Sequence, residues 1–308
     1  MKYGNVIRWM IAVLMLLALP LIISSPVIAE VHQLDLDMET VGDPLDPDGW
    51  LSDREYQDES IHVYVDRKSR NFKSSADTVR TYLVTIEIAD ASQLRTTMSD
   101  ESYESTNWVG PAKMARAVNA VVALNADFMK YSYDVGYVIR QGEFYRDMLD
   151  NQNYPRDVLV IDDAGDFHIV PVATSASMAE FMEKLEGSGR KAINTFTFGP
   201  ALIVDGEVQE VSKNPEFEAI LPNHRICICQ LGPLKYGIVE VDGDSPKSLG
   251  VSLQGLAGYV KEMFPDCQVA YNLDGGVSTA LVLGGKEISS GSRPNSDIIY
   301  FASAAGEE

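Results

Sequence analysis

From Ile61 onward, apolar and polar positions alternate in short runs separated by turn residues. "IHVYV" and "TYLVTIEIA" begin the series, and "AVVALNADF", "GYVIRQGEFY", "DVLVIDDAGDFHIVPV" and "PALIVDGEV" continue it. Runs of this length, rich in β-branched and aromatic residues, predict strands. Asp205-Gly206 predicts a tight hairpin turn, because both residues tolerate positive φ, and "DDAGD" at 162–166 and Gln141-Gly142 are expected to act alike. Such short connections require antiparallel partners. Helical spacing is confined to two stretches. "SMAEFMEKLEG" opens with a capping box, Ser177 to Glu180, and closes at Gly187. A second helix starts near Ser252, with Leu253, Leu256, Ala257, Val260, Met263 and Phe264 on one face and Pro265 as its stop. The pattern predicts an α+β fold with a large mixed, mainly antiparallel β-sheet and a few packed helices.

Residues 1–29 differ from all of this. Lys2 and Arg8 precede an almost wholly apolar run from Trp9 to Ile28, and "VIA" ahead of Glu30 supplies small residues, as in an export signal. About twenty apolar residues also suffice to span a bilayer, so the segment is expected to be either a cleaved signal peptide or an N-terminal membrane anchor. Both place the rest of the chain outside the cytoplasm. Residues 30–59 are read as an acidic linker: from Asp35 to Glu59 there are ten acids against Arg54 alone, and Pro44 and Pro47 interrupt any helix. "DPDG" within it is a poor calcium loop, since alignment on Gly49 puts Pro44 at the first ligand position. The folded domain then runs over 60–303, with a short tail at 304–308.

The formal net charge of −20, with only 25 Lys and Arg in 308 residues, excludes nucleic acid as a partner and disfavours direct attraction to anionic lipid. Cys227, Cys229 and Cys267 are odd in number and lack disulfide or zinc spacing, so they are expected to be buried small apolar residues. Histidines at 32, 62, 168 and 224 are too scattered for a His-based zinc site, and His224 is expected to be a structural hydrogen-bond partner. No G-x-S-x-G elbow, G-x-x-x-x-G-K-[ST] loop, H-E-x-x-H pair or G-x-G-x-x-G turn occurs.

Candidate chemistry gathers at "AYNLDGGVSTALV", residues 270–282. Asn272 and Asp274 are two apart at a strand end and face the same way, while Gly275 and Gly276 allow positive φ or close approach of a ligand. Taken alone, "DGG" after a strand is more often a hairpin turn. Polar residues after strands recur in "ALNADF", "PNHR" and "SRPNSDIIYF". Together these stretches resemble the phosphodiester glycosidase family, which includes the catalytic domain of the mammalian enzyme that uncovers mannose 6-phosphate and many bacterial envelope proteins. The resemblance runs from about residue 79 to residue 303. Asn272, Leu273, Asp274, Gly275, Gly276 and Ser278 match the family's signature, with Val277 where glycine is commonest. Asn125, Ala126, Asp127 and Phe128 resemble its Asn-Gly-(Gly or Asp)-Phe segment, and Phe198 to Gly206 its "FGP.L..DG" strand pair. Asn223-His224-Arg225 resembles a segment where proline is usual at the His224 position, and Arg293, Ser296, Asp297 and the strand to Phe301 resemble its closing motif.

The activity that this resemblance implies is hydrolysis of a sugar 1-phosphodiester. Such cleavage passes through an oxocarbenium-like sugar and expels a phosphate monoester, so it needs a carboxylate near the anomeric carbon and cationic or amide donors around phosphate. Asp274 is the first candidate, as base, nucleophile or metal ligand, and Asp127 is the second carboxylate. Arg225 and Arg293 are candidate phosphate clamps, because a guanidinium fork matches phosphate oxygens. Asn125, Asn272 and Ser278 are expected to orient sugar or phosphate, beside Gly275 and Gly276. Asp274, Asp127 and nearby amide oxygens also suit a hard cation, calcium or magnesium. The expected protein is therefore an exported hydrolase of envelope or extracellular glycans, its substrate a sugar phosphate or glycan. The competing expectations are a non-catalytic carbohydrate-binding or exopolysaccharide-assembly module, with Val277 and Ala126 marking a degraded site, and a different glycan-processing reaction.

Overall fold

The computed structural model describes residues 31–72, 78–127, 135–151, 156–211, 219–243, 249–291 and 293–306. The leader expected at 1–29 and Phe128 lie outside these residues. Two sheets stacked face to face form the centre. One has nine strands in the order Trp50–Ser52, Glu55–Gln57, Ile61–Asn71, Thr78–Ile88, Lys235–Val241, Arg225–Gly232, Val269–Asn272, Ala201–Val204 and Glu207–Val208. The other has five: Lys286–Ser290, Ala280–Leu283, Ala120–Asn125, Asp297–Ala302 and Leu94–Met98. Among the described residues every strand pair is antiparallel. The period of two fixes which side chains meet. Val63, Val84, Ile226, Ile228 and Ile238 of the larger sheet share one buried cluster with Val122, Leu124, Leu281, Ile299 and Phe301 of the smaller.

Three α-helices among the described residues cover outer faces: α1 (Pro111–Ala117), α2 (Ser175–Gly187) and α3 (Leu253–Met263). Met114 and Ala115 of α1 pack on Ala123, Val282 and Tyr300 of the five-stranded sheet. Met178 and Leu185 of α2 pack on Val158, Val160 and Val170, part of a three-stranded sheet of Phe167–Val170, Val158–Asp162 and Ala192–Phe196. Leu256, Ala257 and Val260 of α3 pack on Leu83, Val239, Cys227 and Cys229, so the three thiols are free and buried, as expected. No helix among the described residues is long and apolar enough to cross a membrane.

Local signals hold at several points. Asp205 (φ +50) and Gly206 (φ +78), like Gln141 (φ +48) and Gly142 (φ +79), form the left-handed pairs that close two hairpins. Ser252 caps α3 through Gly255 N. Helix α2 starts earlier than the pattern indicated, because Thr174 outcompetes Ser177 as cap and bonds reciprocally with it. Helix α1 escaped the periodicity search: with seven residues it shows little repeat, although Pro111 at its first turn is a start signal.

The acidic stretch corrects the sequence reading. Residues 31–59 are built into the domain, and Trp50–Ser52 and Glu55–Gln57 form the edge of the nine-stranded sheet. The fully buried Arg95 donates from Nη2 to the carbonyls of Asp35 (2.9 Å), Asp37 (2.9 Å) and Thr40 (3.0 Å), and from Nε to the Tyr300 hydroxyl (3.1 Å). His32 N donates to Ala304 O (3.3 Å), and Asn119 Nδ2 to Gly42 O (2.8 Å). The acids serve local backbone: Asp58 Oδ1 accepts from Ser60 N (2.7 Å) and Ile61 N (2.9 Å), and Asp46 Oδ1 from Asp48 N (2.8 Å). Short acidic side chains that accept from nearby N–H groups read as a solvated tether when only charge and proline content are counted.

Arg95→Met keeps most of the side chain's length but strips the donors from three strap carbonyls. It should lower the unfolding free energy in urea by about 2–4 kcal/mol and open residues 31–49 to proteolysis. A free linker would leave both unchanged.

Candidate active site

The Val269–Asn272 strand of the larger sheet and the Ala280–Leu283 strand of the smaller follow each other in the chain, and residues 273–279 cross between the sheets. The crossing is held on both sides. Leu273 N donates to Ile226 O (3.0 Å) and Gly276 N to His224 O (2.9 Å), while Asp274 N donates to Ala126 O (3.3 Å). Asn125 Nδ2 donates to Asp274 O (2.8 Å), and its Oδ1 accepts from Ala280 N (2.9 Å). Both glycines are demanded by shape. A β-carbon on Gly275 would stand 2.7 Å from the His224 carbonyl oxygen, and Gly276 has φ +58.

On this loop the Asp274 side chain, 14% exposed, accepts at Oδ2 from Arg293 Nη2 at 3.0 Å. The same nitrogen reaches the Ser278 hydroxyl, and the Arg293 side chain is 33% exposed. Burial pushes the Asp274 carboxyl above its ordinary value of 3.8, against the pull of Ser278 and Arg293; the charge of Asp127 adds to the rise. Asp127 is clamped. Its Oδ1 accepts from Arg140 Nη2 (3.0 Å) and its Oδ2 from Thr197 N (3.1 Å). Arg140 is fully buried over the Phe196 ring (4.6 Å) and also bonds Asp297 Oδ2 from Nη2 (2.8 Å) and Nε (3.1 Å). Burial raises the Asp297 carboxyl to about 6, despite Arg140 and with help from the Asp127 charge.

The expected residues divide into two groups. Asp274, Ser278 and Arg293 form one partly open cluster with Asp127 beside it. Asn125, Asn272 and Arg225, expected to touch substrate, turn inward. Asn125 is used up on backbone, and buried Asn272 donates from Nδ2 to Gly199 O (2.7 Å). Buried Arg225 donates from Nη2 to Leu221 O (3.3 Å), and its Nη1 lies 3.8 Å from where a Gly275 β-carbon would stand. Of the three, Asn125 holds the crossing itself, through Asp274 O and Ala280 N, while Asn272 and Arg225 serve backbone carbonyls of neighbouring segments that their side chains satisfy. Arg140 and Thr197 were missed. The available signal was an arginine two residues after Val138, on the face of the Gly136–Arg140 strand that carries buried residues. The donor set does not fit calcium or magnesium: both Asp127 oxygens accept from N–H groups, and Asp274 is paired with a guanidinium.

Two stacked antiparallel sheets joined by an Asp-Gly-Gly crossing that carries an acid and an arginine define the class, an α+β domain with a carboxylate–guanidinium site. The family model described as phosphodiester glycosidase matches residues 118–302, a span that includes all of these site residues, and the chain belongs to that family. Its fold is similar to the catalytic domain of zebrafish N-acetylglucosamine-1-phosphodiester alpha-N-acetylglucosaminidase, auto-inhibited by pro-peptide, at TM-score 0.61 and 15% identity over 79% of this chain and 83% of that one. A hypothetical protein from Synechocystis is similar at TM-score 0.50 and 15% identity, over 79% of this chain and 62% of that one. No curated protein matches the sequence.

Asp297 provides a pH test. Its folded pKa of about 6 exceeds the ordinary 3.8, so the folded state holds this proton more tightly, and the resulting stabilisation is complete below 3.8 and lost as pH rises through 6. The unfolding free energy of the wild type minus that of Asp297→Asn, from urea titrations at several pH values, should therefore fall between those two limits and then level off. A flat or rising difference contradicts this.

Proposed function

We propose that the chain is an exported hydrolase that cleaves a sugar 1-phosphodiester in glycans of the cell envelope or its surroundings. Family membership supports the reaction class, and the basic, apolar leader supports export. The observation that carries the reading is the Asp274–Arg293 pair, an acid and a guanidinium side by side and partly open on the crossing loop. Those are the charges the reaction needs. As the bond between the anomeric carbon and the phosphate oxygen breaks, its electron pair leaves with the phosphate monoester and positive charge develops on the sugar. The Asp274 carboxylate opposes that positive charge, or takes the proton of the water that adds to the anomeric carbon. The Arg293 guanidinium receives the phosphate oxygens, and the Ser278 hydroxyl positions that guanidinium. Asp127, gripped by Arg140 and Thr197 N, is held in a fixed orientation beside the site.

Asp274→Asn retains shape and hydrogen bonding but removes the charge. Turnover of a chromogenic sugar 1-phosphodiester should drop by about a hundredfold or more while the melting temperature stays near that of the wild type. Near-wild-type turnover would remove Asp274 from the chemistry. Failure of the purified wild type to cleave any member of a sugar 1-phosphodiester panel would favour the non-catalytic carbohydrate-binding reading.

Arg293→Lys preserves charge and loses the fork. We expect kcat/KM to fall at least about tenfold with little change in melting. Arg225→Lys, by contrast, should cost mainly stability, because buried Arg225 donates to the Val251 and Leu221 carbonyls.

A further inference from the structure

Outside that cluster, one group of side chains stands where packing alone would not put it. Arg225 pairs with Val241 and Ile226 with Glu240 in adjacent antiparallel strands, so His224 and Asp242 continue the same register. Glu240 and Asp242, two apart, share a face with Tyr236 and Ile238, which belong to the apolar cluster between the two large sheets. Glu240 thus places a fully buried carboxylate on a core face. Its Oε1 contacts His224 Nε2 and accepts from the Ser289 hydroxyl at 2.5 Å, whereas its Oε2 is buried without a hydrogen-bond partner. Such an oxygen is costly unless a positive charge or a donor meets it.

We propose that His224, Glu240 and Asp242 bind one divalent ion of the zinc class behind the crossing loop. One donor atom from each residue lies within 4.8 Å of the other two, and Asp242 is the least buried of the three. An imidazole with two carboxylates suits a borderline ion better than magnesium or calcium, which prefer all-oxygen shells. Ligand atoms around zinc sit roughly 3–4 Å apart, so the His224–Glu240 contact opens as the ion enters and side-chain shifts of about 1 Å complete the shell, with water in the remaining position. The ion cancels two carboxylate charges that otherwise repel each other: burial and then the Asp242 charge push the Glu240 carboxyl up, while His224 and Ser289 pull it down. Ser289 is the outer partner that orients the Glu240 ligand. Because the His224 carbonyl accepts from Gly276 N and abuts Gly275, the ion also braces the loop that carries Asp274. The site is separate from the Asp274 cluster, and its test does not depend on turnover.

The full chain is stripped with chelator, dialysed and titrated with zinc chloride by calorimetry, with magnesium chloride as comparison. Metal content and melting curves are recorded on the same samples. One equivalent of zinc should bind at micromolar or tighter affinity and raise the melting temperature by several degrees, while magnesium does neither. Glu240→Gln and Asp242→Asn should each weaken zinc binding at least about tenfold, and Asp274→Asn should leave it intact. If Glu240→Gln folds poorly, the less buried Asp242→Asn decides alone. Zinc binding weaker than micromolar, equal binding by the Asp242→Asn variant, or loss of binding in Asp274→Asn would each overturn the proposal.

Discussion

A backbone that leaves one sheet at Asn272 and joins another at Ala280 must satisfy its own polar groups across a seam where no ladder continues. That constraint organises this end of the molecule. The crossing borrows carbonyls from Ile226 and His224 on one side and from Ala126 on the other, and Asn125 closes the circuit through Asp274 O and Ala280 N. These few bonds tie the crossing to both sheets at once. The same tie leaves Asp274 with nowhere to go but the seam's mouth.

Charge burial is graded around that mouth. Arg140, fully enclosed, serves two acids at once, and each partner is satisfied further by Thr197 N or the Ser296 hydroxyl. A buried pair of this kind contributes little net stability, yet removing one partner strands the others, so it fixes geometry more than it stabilises. Arg293 sits at the opposite limit, a third exposed and in contact with both Asp274 and Ser278. The clamped acid lies inside and the partly exposed cation outside. Such an arrangement allows the outer group to reach a ligand without unlocking the inner one.

Much of this was legible in the sequence, and the reasons for the failures are physical. Strand alternation, the left-handed pairs at Asp205-Gly206 and Gln141-Gly142, and the Ser252 cap are local, so each could be read without knowing its neighbours. The Asp-Gly-Gly segment was legible as a turn and, through resemblance, as a site. What stayed hidden depends on contacts distant in the chain. Asn125 and Arg225 carry the residue types of a binding site, but their donors end on the backbone of Asp274 and Leu221, which no spacing reveals. Arg140 meets Asp297 across 157 positions. The acidic stretch misled because Asp46 and Asp58 do structural work through oxygens whose charge suggested solvent.

The strap anchored by Arg95 also gives the domain a polarity. Leu34 bonds Ser92 just before the Leu94–Met98 strand, and His32 and Asp43 bond the residues that follow the Asp297–Ala302 strand. In those two paired strands, Leu94 lies opposite Phe301 at this pole, whereas Met98 lies opposite Asp297 at the other, beside Arg140 and the site. Val31 and Gly306 therefore both leave from the pole away from the crossing loop. A support, label or partner domain joined at either of these positions would leave the mouth of the seam facing open solution. Immobilised by its ends, the domain would present that mouth outward.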